Sequence, residues 1–231
     1  MRQKAVVLLS GGIDSTTTLA IAINDGYEIY ALTFDYGQRH HKEIDAARNI
    51  AHYYKVAEHK ILRIELDQIG GSALTDRDII VPKNRRLNEI TREIPITYVP
   101  ARNMILLSYA IAWAETLSAD TIFIGANAID YSGYPDCRPE FFNAFQRVVQ
   151  LGTKRGVEGH PIALKYPLIN LSKGEIIKRG IELDVPYELT WSCYEGQEHP
   201  CATCDSCILR AKGFDAAGVP DPLLRSSFDN G

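Results

Sequence analysis

The chain has 231 residues, of which 45% are hydrophobic and 23% charged. That balance is ordinary for a folded globular protein and excludes collagen-like, coiled-coil and disordered architectures. The formal net charge of −4 excludes the broadly basic surface of a protein that lives on nucleic acid.

In chain order, Lys4 to Leu9 predicts a strand that stops at a glycine pair. Its apolar run is shorter than the ~7–15 residues of a secretory h-region, so no export signal is read there. Asp14 to Asn24 carries Leu19, Ala22 and Ile23 at helical spacing until Gly26, which predicts strand, tight turn and helix. Tyr27 to Phe34 reads as a buried strand. Glu43 to Lys55 puts Ile44, Ala47, Ile50, Ala51 and Tyr54 on one helical face, and Glu58 to Ile64 suits a third strand. From Asp67 to Pro100 the periodicity is lost, and Lys83-Asn84-Arg85-Arg86 marks the stretch as an exposed, mobile insertion. Asn103 to Leu117 predicts a helix. Its apolar part, Met104 to Ala114, is interrupted by Ser108 and Tyr109 and falls well below the ~18 residues of a membrane span. Thr121 to Gly125 is a short strand, and Glu140 to Leu151 and Lys173 to Leu183 are helices.

Strands alternating with helices predict an α/β fold, an open parallel sheet with helices on both faces. After residue 190 the style changes to turns and cysteines, with a short helix at Asp205 to Lys212. The expected division is therefore a main domain over 1–190 and a small knob with its tail over 191–231. Four cysteines crowded between 193 and 207 do not form the scattered framework of a secreted protein. They fit a reducing, cytoplasmic setting with no membrane contact.

Ligands of open parallel sheets bind outside the carboxyl ends of the strands, where Ser10-Gly11-Gly12-Ile13-Asp14-Ser15 stands. Two glycines let the backbone turn its N–H groups inward, two serines add hydroxyls, and the following helix directs its positive end to the same point. Each charge gains only ~0.3–1 kcal/mol from the macrodipole, so binding an anion there takes several N–H and hydroxyl donors together. The Walker lysine is absent. Asp14 is read either as a metal-bridging carboxylate or as the helix cap.

Cys193, Cys201, Cys204 and Cys207 form C-x7-C-x2-C-x2-C. Four thiolates complete a tetrahedral zinc shell with no open position, which predicts a structural zinc. An iron–sulfur cluster or a sulfur-carrying redox pair are the competing readings. Cys137 stands alone and is read as a buried or pocket-lining thiol.

Three further strings place polar and aromatic residues where core logic would not put them: Phe34-Asp35-Tyr36-Gly37-Gln38-Arg39-His40 after the second strand, Pro100-Ala101-Arg102-Asn103 just before a helix, and Gly125-Ala126-Asn127 with Tyr131-Ser132-Gly133-Tyr134-Pro135-Asp136-Cys137-Arg138 after a later strand. They predict one crevice. Tyr36 and Asn127 lie on its strand ends, Arg102 reaches a phosphate or carboxylate, and Asn103 caps the helix. Tyr131 and Tyr134 stack on a planar heterocycle, Asp136 accepts from a guanine-like edge, and Arg138 holds a carboxylate. His40, His41 and Lys42 read as a solvated helix start.

The string S-G-G-I-D-S after a first strand resembles the pyrophosphate loop of the ATP pyrophosphatase superfamily. With F-D-Y-G-Q-R-H, the R-N pair, Y-S-G-Y-P-D-C-R and the four-cysteine tail, the chain resembles the 7-cyano-7-deazaguanine synthase family of the queuosine pathway from Leu9 to Arg210. Two departures are alanines, Ala101 and Ala202, where that pattern has glycine. The resemblance implies an adenine nucleotide alpha hydrolase-like sheet and a homodimer. It implies an ATP-dependent ligase that turns a deazapurine acid and ammonia into a nitrile through adenylated acid and amide, with magnesium accompanying ATP. It places Leu9, Ser10, Gly11, Gly12, Ile13, Asp14, Ser15, Thr16, Thr17, Thr18 and Leu19 around the phosphates. Asp14 and Arg102 are its only catalytic candidates. A tRNA-modifying enzyme with the same loop and a non-catalytic nucleotide-binding module are the alternatives.

Overall fold

A computed structural model describes residues 2–90, 94–129 and 134–225. The chain runs β1 (Lys4–Leu8), α1 (Ile13–Asn24), β2 (Glu28–Asp35), α2 (Lys42–Tyr53), β3 (Glu58–Arg63), α3 (Leu87–Ile90), α4 (Arg102–Leu117) and β4 (Thr121–Phe123). It continues through α5 (Pro139–Gly152), α6 (Lys154–Val157), β5 (Ala163–Lys165), α7 (Lys173–Glu182), α8 (Asp205–Ala217) and α9 (Pro222–Arg225). The five strands form one sheet in the order β3-β2-β1-β4-β5, parallel throughout, with Val6 beside both Tyr30 and Ile122, and Ile122 beside Leu164.

Alternation along β1 divides the core. Val6 and Leu8 face Leu107, Ala110 and Trp113 of α4 and Phe142 of α5. Ala5 and Val7 face Leu19 and Ala22 of α1 and Ala47 and Ile50 of α2. The near-continuous apolar strands are thus explained by helices on both faces. A third cluster joins α1 to α7 and α8 through Ile13, Ile176, Ile177 and Phe214. Among the described residues no helix is long and apolar enough to cross a membrane.

One strand was not expected, and one expectation is corrected. β5 gave no sequence signal, because three residues hold no periodicity and the strand exists through its pairing with β4. The insertion over 67–100 is not a free surface loop. Ser72, Ala73, Leu74, Thr75, Val81, Thr97 and Val99 are buried. The Arg39 guanidinium gathers three of its carbonyls, donating to Ala73, Asp76 and Ile79. The charged piece is also engaged: Lys83 pairs antiparallel with Cys204, Asn84 N–H donates to Thr203 at 2.8 Å, and Arg85 forms a two-pronged ion pair with buried Asp205. These contacts lie far apart in sequence, so composition alone misread the segment as solvated.

The strand order reverses between β1 and β4, and the space beyond their carboxyl ends is the switch-point crevice of an open α/β sheet.

Candidate active site

The bend after β1 occupies that crevice. Gly11 has φ +83°, and a Cβ there would lie 2.4 Å from the Glu43 carbonyl and 2.7 Å from the Ala47 nitrogen, so glycine is what lets the start of α2 pack against the bend. Gly125, just past β4, touches the opposite side: a Cβ would meet the Asp14 carbonyl carbon at 2.8 Å. Trp191 N–H donates to Gly11 O at 2.9 Å, tying the C-terminal segment to the same turn.

Gly12 is the N-cap of α1, without any side-chain cap bond. Asp14 therefore sits inside the first turn and does not cap the helix. Among the described residues the N–H groups of Ile13, Asp14 and Ser15 have no acceptor, which leaves donors and the positive end of α1 available to an anion. The serines brace the turn: Ser10 Oγ donates to Ser15 Oγ at 3.0 Å, and Ser15 Oγ to Gly12 O at 3.1 Å.

A cavity of about 250 Å3 opens from this bend. Leu9, Ser10, Gly12, Ile13, Asp14 and Ser15 line it on one side; Tyr36, Arg102, Asn127, Tyr134 and Cys137 line it elsewhere. Those sequence candidates line one cavity. The rest of the proposed loop turns away from the cavity: Thr16 and Thr17 donate to Gly12 O and Ile13 O, Thr18 is buried, and Leu19 lies in the core. Asp136 and Arg138 are not on the wall. Asp136 is buried, and its Oδ2 accepts the Asn103 N–H at 3.0 Å, while exposed Arg138 donates to Pro135 O. Asn103 is not the helix cap; α4 is entered through Ala101, and Asn103 Nδ2 donates to Asp136 O and Cys137 Sγ. Tyr131 lies outside the described residues.

Wall residues that the sequence reading did not assign include Glu43, Lys173 and Arg210. Lys173 Nζ lies 2.7 Å from both Asp14 oxygens, with both side chains largely enclosed. A signal for it existed, since a lysine at the first position of α7 opposes the helix dipole and needs a compensating anion. Gly213 of α8 makes room for it; a Cβ there would meet Lys173 Cγ at 2.3 Å. Glu43 in the first turn of α2 is ordinary helix chemistry and gave no signal.

Charge is distributed unevenly around the cavity. Arg102 donates to Tyr36 Oη at 3.4 Å and stacks over its ring at 5.7 Å. Burial works against its charge, but the acidic groups around it, Tyr36, Tyr134, Cys137 and Asp136, raise its pKa above the usual value. Burial pushes the Tyr36 hydroxyl up to about 12 and the Cys137 thiol up to about 12. Cys137 thus stays a thiol at neutral pH, which suits a wall residue and not a nucleophile. Burial also raises Glu43, to about 7.

The four cysteine sulfurs lie within 4.8 Å of one another, and none is in a disulfide. A tetrahedral ion at ~2.3 Å from each sulfur needs them about 3.8 Å apart, so the cluster fits a four-thiolate metal. Thiol donations from Cys204 and Cys207 drive Cys193 toward the thiolate. The cluster packs with Ala46, Ala73, Val81 and Trp191, beside the bend.

The architecture is an open parallel α/β sheet with its site at the switch point. A solved 4-thiouridine synthetase in complex with RNA and ATP shares the fold, with a TM-score of 0.51 and 20% identity over 97% of this chain and 53% of that one. At the level of sequence, residues 4–218 match the family described as queuosine biosynthesis protein QueC, and the chain belongs to that family. It is 56% identical over 221 residues to the 7-cyano-7-deazaguanine synthase of Acetivibrio thermocellus, covering 96% of this chain and 97% of that protein. It is 57% identical over 228 residues to the 7-cyano-7-deazaguanine synthase of Thermoplasma volcanium, covering 99% and 93%.

Proposed function

We propose that the chain is an ATP-dependent ligase that converts 7-carboxy-7-deazaguanine and ammonia into 7-cyano-7-deazaguanine, with release of AMP and pyrophosphate. The observation that carries this reading is that one cavity holds both an anion-receptive bend and an aromatic wall with a half-buried arginine.

A carboxylate resists ammonia because its charge repels a nucleophile and oxide is a poor leaving group. Its oxygen therefore first attacks the α-phosphorus of ATP, expelling pyrophosphate. Ammonia then displaces AMP to give the amide. A second adenylation on the amide oxygen lets that oxygen depart as AMP and leaves the nitrile.

In this scheme the N–H groups of Ile13, Asp14 and Ser15, with the Ser10 and Ser15 hydroxyls, hold the pyrophosphate. Lys173 fixes Asp14 and adds positive charge beside the phosphates. Arg102 faces the substrate carboxylate, and Tyr36 and Tyr134 flank the flat ring. Magnesium bound with ATP would shield the phosphate charge. Cys193, Cys201, Cys204 and Cys207 would hold a structural zinc, which makes residues 191–231 a knob that buttresses the bend through Trp191. The reduced cysteines suit a cytoplasmic enzyme, and a homodimer is the assembly we expect.

Incubation with the deazapurine acid, ATP and ammonium should yield the nitrile with two AMP formed per nitrile, measured by mass spectrometry. AMP formation that requires tRNA in place of the acid would reject the reading. Metal analysis should find one zinc per chain; iron with labile sulfide would reject zinc.

A further inference from the structure

Among the described residues the cavity wall carries two carboxylates, Asp14 and Glu43, and only Glu43 has no role in this scheme. It lines the cavity from the first turn of α2, and the contact of its carbonyl with Gly11 fixes its backbone against the bend. Among the described residues its carboxylate accepts no hydrogen bond and forms no ion pair. Asp14, across the same cavity, is saturated by Lys173. A partly buried carboxylate normally recruits a donor from the protein; Glu43 is half-buried and faces the open space of the site.

Arg102 of α4 lies near enough to favour the ionised form of Glu43 but does not touch it. Tyr36 past β2 and Cys193 of the C-terminal segment also feel its charge, and no hydrogen bond links it to any of the four cysteines. The two charges of opposite sign therefore bracket a gap: a cation belongs on the Glu43 side and an anion on the Arg102 side. The scheme brings two small cations and one carboxylate to this cavity: magnesium, which would travel with the ATP phosphates at the bend, ammonium, and the deazapurine acid; ammonium is the cation left for the Glu43 side.

Building on the ligase reading, we propose that Glu43 is the ammonium-binding residue and the base that releases the nucleophile. Ammonium docks on the carboxylate and gives it one proton, leaving neutral ammonia beside the acyl adenylate. The ammonia lone pair forms the C–N bond as the C–O bond to AMP breaks, and one proton from nitrogen passes to the departing phosphate oxygen. The products are the amide, AMP and protonated Glu43, which returns its proton to solvent as AMP leaves. A carboxyl poised near pH 7 matches this exchange.

The test compares wild type with Glu43→Gln in three assays. Acid-dependent ATP–pyrophosphate exchange without ammonium reports adenylation alone, and the variant should retain it within about threefold. With ammonium, kcat/KM should fall roughly 10²-fold, and the inflection near pH 7 expected of wild type should be absent. With hydroxylamine, which is already neutral at pH 7, hydroxamate formation should stay within about threefold of wild type. Glu43→Asp keeps a carboxylate and should keep the inflection, which covers the case of a poorly folded glutamine variant. Equal losses with ammonium and hydroxylamine, or loss of exchange, would overturn the role. Absence of acid-dependent exchange in wild type would instead sink the ligase reading, and the ammonium site with it.

Discussion

The two walls of the cavity treat charge in opposite ways. On the α1 wall the polar side chains are engaged within the protein, Ser10 with Ser15, Ser15 with Gly12, and Asp14 with Lys173, and only main-chain N–H groups are left for a ligand. On the facing wall, Arg102 and Glu43 lie close without an ion-pair partner among the described residues. The first arrangement is preorganised and contributes to folding. The second keeps two charges in reserve at a cost in stability, which is the usual price of a functional site. A phosphate tail, alike in every catalytic cycle, suits a rigid cradle, whereas reacting groups need partners that the protein has not already satisfied.

Breaking the first wall should have the largest effect. Lys173→Ala leaves Asp14 enclosed and uncompensated and should cost about 3 kcal/mol in urea unfolding, together with at least roughly a hundredfold of AMP formation. Asp14→Ala combined with Lys173→Ala should destabilise by less than the sum of the single changes. An additive result would mean that the pair is not coupled.

Breaking the second wall should separate activity from stability. Arg102→Met, similar in volume, should lose roughly 10²-fold in acid-dependent exchange with no fall in Tm. For Glu43 the stability effect depends on pH. Its folded pKa of about 7 lies above the ordinary 4.5, so its ionisation weakens folding progressively as pH rises through that window. The cost is complete above pH 7 and absent below pH 4.5. Glu43→Gln should therefore raise Tm at pH 8 and leave it unchanged at pH 4; an equal change at both would deny the enclosed charge.

The smallest effect tests the entry to α4. Ala101 and Ala202, the two alanines where the resemblance expects glycine, have φ of +55° and +58°. Left-handed backbone costs an L-residue ~1–2 kcal/mol, and glycine gives back ~0.4–1 in the unfolded chain. Ala101→Gly should thus stabilise by about 0.5 kcal/mol, readable as a small rise in the urea midpoint.

The same contrast explains what the sequence revealed. The bend and the four cysteines were legible because their chemistry is carried by neighbours within about fifteen residues, and the βα alternation exposed the sheet. Lys173 was half-legible, as a lysine at the wrong end of a helix. Glu43 was not, since an acid in a first turn is the commonest thing there, and only the approach of α2 over Gly11 turns it into the cavity. Asp136 and Arg138 share a string with Tyr134 and Cys137, but the short turn at Pro135–Cys137 sends them away from the wall, to α4 and to solvent. The 67–100 segment was misread because its order comes from Arg39, Asp205 and the cysteine knob, all distant in sequence.

The central claim is that main-chain amides at the first bend, braced by two serines, grip the phosphates of ATP during activation of the deazapurine acid. The direct measurement is acid-dependent ATP–pyrophosphate exchange in Ser10→Ala combined with Ser15→Ala, with folding verified by circular dichroism. We predict a loss of roughly 10²-fold or more relative to wild type; exchange at the wild-type rate in a folded double variant would contradict the account.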